Sequence, residues 1–118
     1  MAGEYGEINS SAAFHRLLGE SIEVVQRLLS KTPGDELMQL IFEELNAMRR
    51  WSTNGRVPTD DERGSIDVGL LAARDFSDAQ GEKGELVQML FALNNYFEDW
   101  PSDEEAANAP DAPAFQLR

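Results

Sequence analysis

Apolar residues recur at alternating three- and four-residue spacings in four stretches of the chain, each bounded by residues that start or stop helices. In the first stretch Phe14, Leu17, Leu18, Ile22, Val25, Leu28 and Leu29 fall on one face, and Ser10 or Ser11 is placed to accept the first free N–H groups, which predicts a helix to about Ser30. The segment "KTPGDEL" opens the second: Thr32 as cap, Pro33 at the first helical position, and Asp35 three residues after the cap, beside the positive end of the dipole. Its stripe is Leu37, Leu40, Ile41, Leu45 and Met48; Met38 and Phe42 lie on a flank, as expected of a central helix, and "TNG" at 53–55 is the stop. In "VPTDDERGS", Thr59 and Glu62 have capping-box spacing and Asp60 and Asp61 suit the first turn of a third helix, expected to end near Ser77. After the Gly-containing acidic loop "DAQGEKG", a fourth helix aligns Leu86, Met89, Leu90, Leu93, Phe97 and Trp100, with Val87 and Phe91 off the face, and Pro101 ends it.

The pattern predicts an all-α fold, a compact bundle of about four main helices with no alternating stretch long enough to compete as strand. Its 118 residues suit one domain, placed at 1–100. Residues 101–118, "PSDEEAANAPDAPAFQLR", form an acidic, Pro- and Ala-rich C-terminal extension without period, in which Phe115 and Leu117 are the residues able to anchor it.

The third helix has apolar residues on two sides. With Ile66 at the origin of a wheel turning about 100° per residue, Gly69, Leu70, Ala73 and Phe76 gather on its side as the expected core face, and Val68, Leu71 and Ala72 gather opposite. Asp67 and Arg74 mark a boundary and Asp75 sits within the second group. Either other helices or the extension bury both faces, or one face is a partly apolar, acid-rimmed docking patch. Four helices are too few to bury a two-faced element fully, so part of this surface is expected to meet another chain. Gly69 on the core side fits a close helix crossing, at some cost in helix propensity.

Charge narrows the partner. Twenty-two acids against ten Lys plus Arg give a net charge of -12, a field that repels nucleic acid and anionic membranes and attracts basic protein surfaces, if it does not serve solubility alone. Without cysteine there is no disulfide, thiolate metal site or thiol nucleophile. "MAGEYGEINSS" has none of the basic-then-apolar character of a secretory signal and no stretch approaches membrane-spanning length, so a cytoplasmic location is expected.

No catalytic constellation emerges. The one histidine, His15, lies at the edge of the first apolar stripe without a Glu-x-x-His companion and reads as a partly buried structural residue. Glu43 with Glu44, Asp60 to Glu62, and Asp103 to Glu105 are adjacent in sequence, so a helix points them apart; solvated faces and a capping turn account for them. Phosphate loops, nucleophile elbows and pocketed lysines are absent. No enzyme activity, cofactor or metal is expected.

Glycine at 69, a small residue at Ala72, then Arg74, Asp75 and Phe76, an acidic loop after Asp78 and a helix opening Glu85-Leu86 make a pattern. Together with "VVQRLLSKTPGDEL", including its Pro33-Gly34 turn, it resembles the small all-helical immunity proteins of bacterial type VI secretion systems, closest to those that protect against NAD- and NADP-degrading effector toxins. The resemblance spans about residues 14–97, in short, degenerate pieces; the first ten residues and the extension depart from it. It implies a non-enzymatic cytosolic inhibitor that binds a cognate secreted toxin and occludes its active site. A cleft built for pyrophosphate attracts carboxylates, and on that basis Asp60, Asp61, Asp67, Leu71, Asp75, Asp78 and Glu82 are the expected partner-binding residues. Arg74 is alternatively an intramolecular partner of Asp67, Asp75 or Asp78, a surface pair worth little. Competing expectations are immunity to another nucleotide-modifying toxin, a non-inhibitory effector adaptor, a structural homo-oligomer such as a homodimer, and a metal-dependent enzyme using clustered carboxylates, which the missing Glu-x-x-His disfavours.

Overall fold

The computed structural model describes residues 5–6, 8–76 and 81–107, with backbone alone for Asp75 and Phe76. Ser10 is the first cap: its hydroxyl accepts the Ala13 N–H at 3.1 Å, starting α1 (Ser11–Lys31). The Thr32 N–H still bonds to Leu28 O at 3.0 Å, so Thr32 closes α1 and does not open the next helix. Residues 32–35 form a turn, and Asp35, accepting the Met38 N–H at 3.0 Å, caps α2 (Glu36–Ser52). The expected start at Thr32-Pro33 is thereby corrected to Asp35-Glu36. A short 3-10 turn over Thr53–Gly55, with Asn54 and Gly55 left-handed at φ 58° and 79°, ends α2 as its sequence suggested.

The third predicted helix divides in two. The capping box forms, with Thr59 Oγ1 accepting the Glu62 N–H at 3.1 Å and Glu62 Oε1 accepting the Thr59 N–H at 2.9 Å, and starts the short α3 (Asp60–Gly64). Ser65 then directs both its N–H and its hydroxyl to Glu62 O, at 3.2 and 2.8 Å, closing the turn. The chain resumes as α4 (Val68–Phe76), whose first turn is marked by Leu71 N–H bonding to Asp67 O at 3.0 Å. Next, α5 (Gly81–Asp99) ends at Trp100, left-handed at φ 42° with its N–H on Tyr96 O at 2.7 Å; Pro101 prevents continuation. Where no period was visible, a one-turn α6 (Asp103–Ala107) forms because Ser102 and Glu105 cap each other reciprocally, at 3.1 and 2.9 Å. Phe115 and Leu117 lie outside the described residues.

The architecture is all-α, with no strand among the described residues. A short turn makes α1 and α2 an antiparallel hairpin, so His15 near one end meets Ser52 at the other. Likewise α1 runs antiparallel to α5: Phe14 stacks on Tyr96 and Phe97 (ring centroids 5.0 and 6.2 Å apart), and Arg27 reaches Glu82 at the opposite end. Trp100 stands edge-on to Phe14 at 5.4 Å, and Tyr5 to Tyr96 at 5.6 Å, its hydroxyl donating to Asp99 Oδ2 at 2.8 Å. Leu18, Val25, Ile41, Leu45, Met48, Leu86, Leu90 and Leu93 fill the rest of the core, to which Ala106 of α6 adds its methyl.

Three details of the predicted stripes change. Met38 is buried and Leu40 is 43% exposed, so the flank of the α2 stripe is the side turned toward the core. Val87, thought to stray, is buried. On α4 the faces exchange roles: Val68 and Ala72 are fully buried, Leu71 packs half-buried against the core, and Leu70 is 58% exposed. Ile66, the origin of the wheel, is buried but lies in the break before α4, so it does not share the helix's phase. Gly69 is buried as expected. A Cβ there would lie 3.3 Å from the Asn94 Cβ, so glycine permits the crossing of α4 over α5.

Candidate partner-binding surface

Gly69 also fixes where the acids of this region lie. Its N–H donates to Asn94 Oδ1 at 2.8 Å, anchoring the start of α4 beside the end of α5. Asp67, immediately before α4, is exposed, and its N–H donates to Glu44 Oε1 of α2 at 2.8 Å. The two carboxyl groups share this position. Burial, followed by the hydrogen bond between its side chain and that of Asp67, pushes the Glu44 carboxyl up to about 7, against the lowering effect of the Asp67 N–H. No Lys or Arg pairs with either acid among the described residues, where the ion pairs are Arg27–Glu82, Arg56–Glu62 and Arg63–Asp60.

The other expected site residues divide between the two ends of α5. Asp60 and Asp61 are exposed on the first turn of α3. Arg63 pairs with Asp60 and extends its Nη1 to the last carbonyls of α5, Glu98 O and Asp99 O, both at 3.3 Å. This brings Asp60, Asp61 and Asp67 to the same end of the bundle, where Arg56 holds the Glu62 carboxyl below its ordinary range. Glu82 begins α5 at the other end, about 18 Å along the axis from Asn94 at 1.5 Å per residue, and takes Arg27 at 2.7 Å, which lowers its carboxyl. Leu71 lies on the core-facing side of α4, and the exposed apolar residue of that turn is its neighbour Leu70. Asp78 and the Asp75 side chain lie outside the described residues. Arg74 is exposed and makes no ion pair with Asp67.

Other polar residues are committed structurally. The Ser52 hydroxyl donates its one proton to Met48 O at 2.7 Å, so His15 Nε2, 3.1 Å away, must carry a proton and donate to Ser52 Oγ. His15 is half-buried, as its place in the stripe suggested. Among the described residues no group of three or more His, Cys, Asp or Glu is placed to hold a metal ion, and no helix is long and apolar enough to cross a membrane.

Residues 14–99, well over half of the chain, match the Tsi6 family. The chain belongs to the Tsi6 family. This is a type VI secretion immunity family, and membership makes the chain an immunity protein that binds an effector. No match was found among curated proteins or solved structures. The Tsi6 match contains both regions that carried the resemblance, the Pro33-Gly34 turn and the run from Gly69 to Leu86, and ends just before Trp100.

Sequence reasoning missed Glu44 and Leu70 as surface features of this Tsi6 member. Glu44 follows Glu43 on a helix and reads as a solvated acid; its partner stands 23 residues later, beyond the reach of local spacing. Leu70 was missed because the break after Gly64, which resets the helical phase, has no unambiguous local signal.

Proposed function

We propose that this protein is a cytoplasmic, non-enzymatic antidote to a type VI effector that degrades NAD or NADP, and that it acts by covering the toxin's active site. Membership of the Tsi6 family over residues 14–99 carries the proposal. The net charge of -12 supports it. An enzyme that binds a dinucleotide pyrophosphate presents cationic side chains and N–H groups, and an acidic inhibitor is drawn to such a cleft and oriented by it. In this reading Asp60, Asp61 and Asp67 at one end of the bundle, with Leu71, Asp75 and Asp78 later in the sequence, belong to the contact region. Glu82, held by Arg27 at the far end, contributes through the long-range field.

The test is the NAD and NADP content of bacteria expressing the cognate effector's toxin domain, with and without this protein. Depletion without it and normal pools with it are expected. Poisoned cells with undiminished pools would assign the immunity to a different toxin chemistry.

A further inference from the structure

The fold leaves three large apolar side chains exposed among the described residues, Leu40, Val57 and Leu70. Two of them lie within one helical turn of the carboxyl pair. Leu40 lies one turn before Glu44 on α2, and Leu70 three residues after Asp67 on α4. Because α1 is antiparallel to both α2 and α5, those two run in the same direction. The short link from Phe76 to Gly81 and the Gly69–Asn94 contact make α4 antiparallel to α5, and hence to α2. Stepping back along α2 from Glu44 and forward along α4 from Asp67 therefore leads the same way, so both leucines are displaced from the pair toward the same end of these two neighbouring helices.

Charge defines what this edge accepts. Among the described residues Glu62, Glu82 and Asp60 each have an arginine, whereas Glu44, whose Oε1 accepts the Asp67 N–H, and Asp67 itself have none. Opposed carboxyl groups repel, and a cation from another chain relieves that repulsion. Surfaces combining exposed leucines with unsatisfied charge are suited to a partner offering both apolar cover and the opposite charge.

We propose that the edge between α2 and α4 is a docking seat for a basic element of the effector, which lodges an Arg or Lys side chain against Glu44 and Asp67 and lays apolar side chains over Leu40 and Leu70. The proposal rests on the immunity reading above and assigns it a surface and a partner chemistry. The cation supplies the counter-charge that no arginine among the described residues provides, and the leucines supply the area that resists dissociation.

The test is the affinity of the purified effector toxin domain for the full chain and its variants, by calorimetry. Leu40→Asp with Leu70→Asp should weaken binding at least a hundredfold, and Glu44→Gln with Asp67→Asn about tenfold. Val57→Asp should change it less than about threefold. Circular dichroism and thermal melting confirm that each variant folds, and Leu40→Ser with Leu70→Ser replaces the aspartate pair if that one does not. Near-wild-type affinity in both the leucine and the carboxyl variants overturns this seat while leaving immunity intact. Failure of the unaltered protein to bind the toxin overturns the immunity reading itself.

Discussion

Glu44 makes stability depend on pH in an uncommon direction. Its carboxyl titrates near 7 in the folded protein against 4.5 for an ordinary glutamate, so between those values the folded state binds more protons than the unfolded state. Stability therefore falls as pH rises through that window. Glu62, Glu82 and Glu105 are lowered, and their contributions are lost as pH falls instead; Glu105 is exposed and Glu62 and Glu82 are partly covered, all at the surface and of small effect. Glu44→Gln keeps an oxygen for the Asp67 N–H and removes the titration. It should match the parent in urea unfolding at pH 4.5 and exceed it at pH 8, by roughly 1 kcal/mol once solvent screening is allowed for; equal slopes from pH 5 to 7 would show that the pair does not titrate this way. Gly69→Ala has the opposite sign. Alanine gains about 1 kcal/mol in helix propensity, but its methyl presses on the Asn94 Cβ, which is fixed to α5 and cannot rotate away. A net loss of about 1 kcal/mol, or a melting temperature lower by about 4 °C, is expected. Gly69 was legible because a glycine inside an apolar helix needs a packing reason, whereas nothing local to Glu44 marks it.

Among the elements, the caps at Ser10 and Thr59 were readable from one side chain and one nearby N–H, whereas those at Asp35 and Ser102 were not read. The Thr59–Glu62 box formed as its spacing indicated. Thr59→Ala should cost about 1 kcal/mol and raise amide exchange through α3, and Thr59→Ser should restore most of it; unchanged exchange would place the stability of α3 in the Arg63 contacts to α5 instead. The break between α3 and α4 was not readable, since Ser65 has one local option in folding back on Glu62 and another in continuing the helix, and packing of Val68 and Ala72 against α5 decides between them. The reversed face of α4 follows from that break. At Thr32 the competition was between two helices for the same residue, and the carbonyl of Leu28 won its N–H.

For the whole molecule, repeated three-and-four spacing was sufficient to indicate an all-α bundle because four amphipathic stripes have few other ways to bury themselves. The proposed docking edge was less accessible to sequence: it depends on which helices pass each other, and Glu44 and Asp67 meet only through that packing. Net charge acts at this scale as well. With -12 on the inhibitor, association with a cationic toxin should slow at least tenfold between low salt and about 0.5 M salt, with dissociation little changed. A salt-independent association rate in surface plasmon resonance would remove steering from the mechanism. Immunity by occlusion is tested most directly by titrating this protein into the purified toxin domain while following NAD hydrolysis. Hydrolysis should end as the molar ratio approaches one to one; a complex that forms yet continues to hydrolyse NAD at the free toxin's rate would contradict active-site occlusion.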